Sequence, residues 1–158
     1  MIDVWTRSRL TAAAVYLLLA LAWTWPLPLH LATRFAHDPG DPLLVTYLLW
    51  WNARVLPLSD AMWSAPFYWP MRDALALTEH GAGMAIVASP IQWLGGSPLL
   101  AYNVLLIGCA WWSALAAHAL VRRLTGSHAA AFCAGIAYGF APYRASQLAH
   151  MHLLAAWW

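Results

Sequence analysis

Apolar residues fall in long uncharged runs divided by short polar stretches. The first run, Leu10 to Leu29, is twenty residues without a charge. At about 1.5 Å per residue it reaches about 30 Å, the thickness of one hydrocarbon core. Pro26 and Pro28 are expected to kink or end it near its far side. The second run, Pro98 to Val121, is again uncharged and stops at Arg122-Arg123. The third, His128 to Ala141, is shorter, rich in Ala and Gly, and closed by Pro142. Its small residues Ala134, Gly135 and Gly139 favour close helix approach. A further apolar segment, 143–158, predicts the start of another helix. The expected layout is three spans, at 10–29, 98–121 and 128–141, plus that beginning.

Between the first two runs lies a stretch of mixed pattern, 34–97, too long for an ordinary connection and expected to hold structure of its own. Asp41-Pro42 reads as a helix start, with Asp as N-cap and Pro at the first helical position. Leu43, Leu44, Tyr47, Leu48, Trp51 and Val55 follow at helical spacing on one face, and Pro57 stops the run. Thr46, Asn52 and Arg54 are its more polar positions. A helix lying in the membrane interface fits this pattern. Residues 62–70 form an aromatic, Pro-punctuated loop suited to the headgroup zone. Gly81 to Leu94, broken by Pro90 and closed by Gly95-Gly96, is too short to span and reads as re-entrant or interfacial.

Composition sharpens the picture. Apolar residues make up 63% of the 158, charged residues 9%, and mean hydropathy is +0.59. Soluble domains run at about 45–50% apolar and about 25% charged. So few charges cannot supply a soluble surface, and the same figures exclude disorder, a coiled coil and a disulfide scaffold. The expected class is therefore all-α: polytopic transmembrane helices with a long outer loop containing interfacial helices. Residues 1–158 are taken as one membrane domain. Because the chain stops inside an apolar run ending Trp157-Trp158, that domain is expected to be the N-terminal part of a longer protein. Arg7 and Arg9 before an apolar core, with Ala20-Leu21-Ala22 behind it, also fit a cleavable signal peptide. Apolar character continues to Leu29, which favours a retained anchor. Twelve Trp suit residues at headgroup level. A net charge of +2 gives no footprint for nucleic acid. Cys109 and Cys133 lie within predicted spans, as small apolar fillers.

Charge placement orients the chain. Arg7 and Arg9 flank the first span, and Arg122 and Arg123 occupy the turn after the second. Five of the six acids, Asp38, Asp41, Asp60, Asp73 and Glu79, are in the loop 34–97. The positive-inside rule puts the N-terminus and the Arg122-Arg123 turn in the cytoplasm. The acidic loop and the Pro142-Tyr143-Arg144 turn then share the outer face.

Five strings in this order resemble the N-terminal part of the membrane-embedded GT-C-type glycosyltransferases. They are Gly40-Asp41-Pro42-Leu43-Leu44, Tyr68-Trp69-Pro70, Glu79-His80, Leu120-Val121-Arg122-Arg123-Leu124-Thr125-Gly126, and Pro142-Tyr143-Arg144 with Gln147 and His150 behind it. The resemblance implies transfer of a sugar from a polyprenyl-phosphate-linked donor at the outer face. It also implies an acidic residue after the first span serving as general base or as a metal or acceptor ligand. By position that residue is Asp41, with Asp38 second and Glu79 as a later acidic site residue. The chain departs from characterised relatives in having Pro42, not a second acid, after Asp41.

Such a transfer needs a base for the acceptor proton and cationic groups for the departing phosphate. Asp41 and Asp38 are the candidate bases, against the plainer reading of a helix cap and a turn. Glu79-His80 is a candidate pair for a divalent metal ion or for orienting the acceptor, against an acid at a helix N-terminus. Arg144 is a candidate phosphate anchor, with Gln147 one turn later and His150 extending the surface; the plainer reading is a snorkelling Arg. His150 and His152, two apart, are expected on different sides of a helix. His118 reads as structural. Trp63 and Trp69 are interfacial anchors placed to stack on sugars. No phosphate-binding loop, dinucleotide fingerprint, Ser-His-Asp set or zinc-spaced Cys/His set is present. The competing class is a non-catalytic integral membrane protein or transporter fragment, although a transporter would place its ionisable groups within the spans.

Overall fold

The computed structural model describes residues 4–56 and 59–155, with the side chains of residues 4–9 left out. Among the described residues all regular structure is helical, as the periodicity predicts. Seven α-helices follow in order: α1 (Val4–Trp23), α2 (Gly40–Val55), α3 (Ala82–Trp93), α4 (Pro98–Thr125), α5 (His128–Gly139), α6 (Pro142–Ser146) and α7 (Met151–Leu154). Short 3-10 turns occur at Leu27–Leu29, Asp60–Ser64 and Ala74–Leu77. The chain divides into two compact units. One holds residues 1–30 with 106–158, the other residues 31–105.

Among the described residues one helix is long and apolar enough to cross a membrane: α4, with 28 residues and a length of about 42 Å. The apolar part of α1, Leu10–Trp23, is shorter than the expected run of twenty, because α1 stops at Trp23. Thr24 Oγ1 donates to the Ala20 carbonyl at 2.8 Å, and beyond it Pro26 cannot donate a helical hydrogen bond. α5 has 12 residues, about 18 Å, well short of a hydrocarbon core. The segment after Pro142 is two short helices, α6 and α7, where the apolar pattern predicts one. Pro57, expected to stop α2, and the terminal 156–158 lie outside the described residues.

In the first unit α4 and α5 form an antiparallel hairpin through residues without bulk. A Cβ on Gly135 would collide with the Tyr16 hydroxyl and come 2.9 Å from the Ala114 carbonyl. A Cβ on Gly139 would lie 2.6 Å from Ala114 Cβ and 3.1 Å from the Ala110 carbonyl. The pairs Gly135/Gly139 and Ala110/Ala114 are each four residues apart, so two helical turns touch backbone to backbone. Gly126, at φ +69°, turns the chain out of α4. Ser127 Oγ then accepts from Ala130 N–H at 3.2 Å and caps α5.

α1 joins this hairpin through Tyr16, which is fully buried. Its hydroxyl lies 2.8 Å from His118 Nδ1, and its ring stacks on Phe132 at 5.5 Å. Trp111 Nε1 donates to the Ala13 carbonyl at 2.9 Å. Ala12 faces the same cleft as Arg122 and Arg123, whereas Trp23 meets Phe140 edge-on at 6.0 Å. α1 therefore runs antiparallel to α4, and the N-terminal end of α1 is at the Arg122-Arg123 end of the unit.

The second unit centres on α2. Its buried positions are Pro42, Val45, Leu48, Leu49, Asn52 and Ala53. This stripe is rotated from the predicted one: Leu43 and Leu44 are exposed, and the polar Asn52 is inside. Leu48 packs with Met62, Ala65, Leu75 and Ala82, with Tyr47, Trp51, Val55 and Phe67 around them. α3 is tied to α2 at both of its ends. Asn52 Nδ2 donates to the His80 carbonyl, while Gln92 Nε2 and Trp93 Nε1 donate to the Leu49 and Ala53 carbonyls.

Candidate functional site

The loop unit brings four of the expected site residues onto two helix starts. The first is the head of α2. Sequence places Asp41 at the N-cap and Pro42 at the first helical position, but the helix begins earlier, with Pro39 at the N-cap and Gly40 leading. Asp38 explains the shift. Its Oδ1 accepts the Gly40 N–H at 3.2 Å, a local turn that sets the chain into helix before Asp41. Asp41 is exposed in the first turn, where the helix dipole favours a carboxylate.

Asp38 has a second partner that the sequence reading missed. Its Oδ2 lies 2.8 Å from His37 Nδ1, and both side chains are more than half exposed. A carboxylate on Nδ1 orients the ring and directs Nε2 outward, the usual arrangement when an imidazole moves protons. The adjacent His-Asp pair at 37–38 was the available signal.

The second start is that of α3. His80 Nδ1 accepts the Ala82 N–H at 3.2 Å, so the ring folds back on the helix beginning. Trp63 meets this ring edge-on at 6.0 Å. Glu79 is exposed beside it. The position of the pair depends on Asn52, whose carboxamide donates to the Leu48 carbonyl and to the His80 carbonyl, both at 2.8 Å. Asn52 is fully buried. Gly81, at φ +62°, allows the chain to turn there against Leu48.

A second buried asparagine works in the same way. Asn103 Nδ2 donates to the Leu31 and Arg34 carbonyls, each at 2.7 Å, fixing the strand of chain that leads to His37 and Asp38. The Oδ1 atoms of both asparagines have no hydrogen-bond partner among the described residues. Ser89 Oγ, Thr46 Oγ1 and the Tyr47 hydroxyl in this unit share that condition. Burial holds the Tyr47 phenol above its ordinary range. The aromatic loop is fixed by Trp51 Nε1 donating to the Met62 carbonyl at 2.9 Å and by Ser64 Oγ donating to Asp73 at 2.8 Å. Trp69, at 93% exposed, projects from it.

Arg144, Gln147 and His150 belong to the other unit. Arg144 is 6% exposed, and its Nη2 donates to the Leu154 carbonyl at 2.7 Å and the Cys109 carbonyl at 3.3 Å. It fastens α6 and α7 to α4, and its Nε has no partner among the described residues. Gln147 is the C-cap of α6, so the expected helical surface linking it to Arg144 and His150 ends there. His150 precedes α7 as its N-cap, and its ring meets His152 edge-on at 5.9 Å. The two rings share a side because His150 is outside the helix, where the 100° step does not apply.

Among the described residues no three His, Cys, Asp or Glu side chains converge as a metal site would require. The donor set thus does not fit a protein cage for a divalent cation. No known protein family, curated protein or solved structure matches this chain.

Proposed function

We propose that this chain is a membrane glycosyltransferase of GT-C type, using a polyprenyl-phosphate-linked sugar at the outer face of a bacterial cytoplasmic membrane. The observation that carries the reading is the Asn52–His80 hydrogen bond at 2.8 Å. It holds Glu79-His80 against the helix whose first turn presents Asp41, so both acidic stretches of the loop belong to one compact unit.

In this reading Asp41 takes the proton of the acceptor hydroxyl as its oxygen attacks the anomeric carbon. The bond from that carbon to the phosphate oxygen breaks, and the lipid phosphate leaves with its electron pair. Asp38 orients His37, which gives the site a second proton acceptor. His80, with its Nδ1 engaged by Ala82, keeps an Nε2–H for a part of the substrate away from the reacting hydroxyl, since its anchor Asn52 is about 16 Å along α2 from Asp41, and Trp69 offers an aromatic face to the sugar. Glu79 completes the polar rim.

The same proposal makes the protein polytopic, with α1 and α4 crossing and the N-terminus cytoplasmic. The arrangement of the first unit supports this, since the starts of α1 and of the Arg122-Arg123 turn are at one end. Leu43 and Leu44, exposed on α2, then face membrane lipid. The test is Asp41→Asn in the full-length protein, read as loss of sugar transfer from the lipid-linked donor at unchanged protein level.

A further inference from the structure

At the end of the first unit opposite Trp23 lies a cleft of about 660 Å³, bordered by α1, α4 and α5. Ala12 forms part of its apolar wall. Its polar lining is His118, Arg122, Arg123 and His128, with the Gly126 backbone at the turn. None of these is acidic, and the whole stretch 106–158 contains no Asp or Glu. The only acid elsewhere in this unit, Asp3, lies outside the described residues.

Three features converge on one ligand chemistry. Two arginines in consecutive positions supply planar donors matched to phosphate oxygens. His118 is 8% exposed, and its Nδ1 sits 2.8 Å from the Tyr16 hydroxyl, which fixes the ring. The α5 helix begins at His128, on the rim, and its dipole adds positive potential there. The apolar wall beside these groups suits a ligand with a hydrocarbon part. The arginines also offset the carbonyl end of α4, but that role requires neither the cleft nor the two histidines.

We propose that this cleft binds a phosphate group, and that the source is the headgroup of an anionic lipid. The site uses no residue of the acidic loop and stands whether or not the chain transfers sugar. Basic pockets between helices on the cytoplasmic side are suited to such headgroups.

The experiment measures the thermal unfolding midpoint of the purified full-length protein in neutral detergent. It is titrated with short-chain phosphatidylglycerol, with phosphatidylcholine of equal chain length, or with inorganic phosphate. A ligand that binds only the folded state raises the midpoint. The expected result is a saturable rise with phosphatidylglycerol, absent with phosphatidylcholine, and a half-maximal concentration at least tenfold higher in Arg122→Gln/Arg123→Gln. A rise with inorganic phosphate alone, equal in size and lost in the same variant, supports the phosphate site and assigns it a soluble ligand. Arg122→Lys/Arg123→Lys keeps the charge and is expected to fold as the parent, with a half-maximal concentration raised about threefold. His128→Gln, which spares both arginines, is expected to raise it about threefold as well. Equal responses to the two lipids with no response to phosphate, or an unchanged midpoint curve in both the Gln/Gln and His128→Gln proteins, would overturn the proposal.

Discussion

The carboxamide of Asn52 reaches the backbone carbonyl of His80, 28 positions away, at 2.8 Å. This bond joins the middle of α2 to the chain entering α3. Asn52 is fully buried, whereas the His80 end of the bond is only partly so, and water can replace part of the bond when the side chain is removed. Asn52→Ala is expected to cost about 1–2 kcal/mol, less than a fully satisfied buried amide would, because its own Oδ1 is unpaired. Thermal unfolding gives the loss, and protease cleavage within 78–81 should rise before global unfolding.

The hairpin of α4 and α5 should be intolerant of a single methyl group. Gly135→Ala meets the Tyr16 hydroxyl and the Ala114 carbonyl, and Gly139→Ala meets Ala114 Cβ. Overpacking of this kind is expected to cost about 1–3 kcal/mol at either site. Gly83→Ala is the control. It lies inside α3 with nothing within 4 Å of the new Cβ, and removing a helical glycine should stabilise by about 0.5–1 kcal/mol. A lowered midpoint for the first two and a raised one for the third is the expected pattern.

Tyr16→Phe keeps the ring against Phe132 and removes only the hydroxyl facing His118 and the Phe132 carbonyl. The expected loss is about 0.5–1.5 kcal/mol, the ordinary worth of a hydrogen bond. Tyr16→Leu should lose more, since the stacked ring goes as well. Chemical or thermal unfolding of the two variants separates these contributions.

The proposed orientation predicts a labelling pattern. In a Cys133→Ser background, where the remaining Cys109 is buried, a cysteine replacing Asp60 should react with an impermeant thiol reagent added to intact cells. One replacing the exposed Leu124, next to Arg123, should react only after the membrane is opened. The reverse pattern would place the acidic loop in the cytoplasm.

Helix positions were legible in this sequence to within a few residues where Pro, Gly or paired Arg mark the ends, as at Pro98, Gly95-Gly96 and Arg122-Arg123. The small-residue spacing of Gly135 and Gly139 also announced a close helix contact. What the pattern did not show was the burial of Asn52. It reads as one of the polar positions of an interfacial helix, but a carbonyl 28 residues away accepts from its amide and it lies inside. Long-range backbone partners leave no periodic trace. Asn103 gave a better clue, as a lone amide within an uncharged span that must find a partner. At the α2 start Asp38 makes the turn expected of it, accepting the Gly40 N–H, whereas Asp41 is not the cap: the helix already begins at Gly40, behind Pro39. The sequence offered His37 beside Asp38, yet adjacency alone does not show that the ring turns back to the carboxylate. Arg144 was read for its place in the order of spans. The brevity of α5 brings it instead to the Cys109 carbonyl, partway along α4.

The most direct measurement replaces Asp41 with Asn in the full-length protein, expressed at wild-type level in cells lacking the native copy. Lipid-linked sugars and their glycosylated products are then quantified by mass spectrometry. Loss of the product with accumulation of the polyprenyl-phosphate-linked donor, while the protein keeps its thermal midpoint, is the expected result. Product at the wild-type level would contradict the assignment of sugar transfer to the acidic loop.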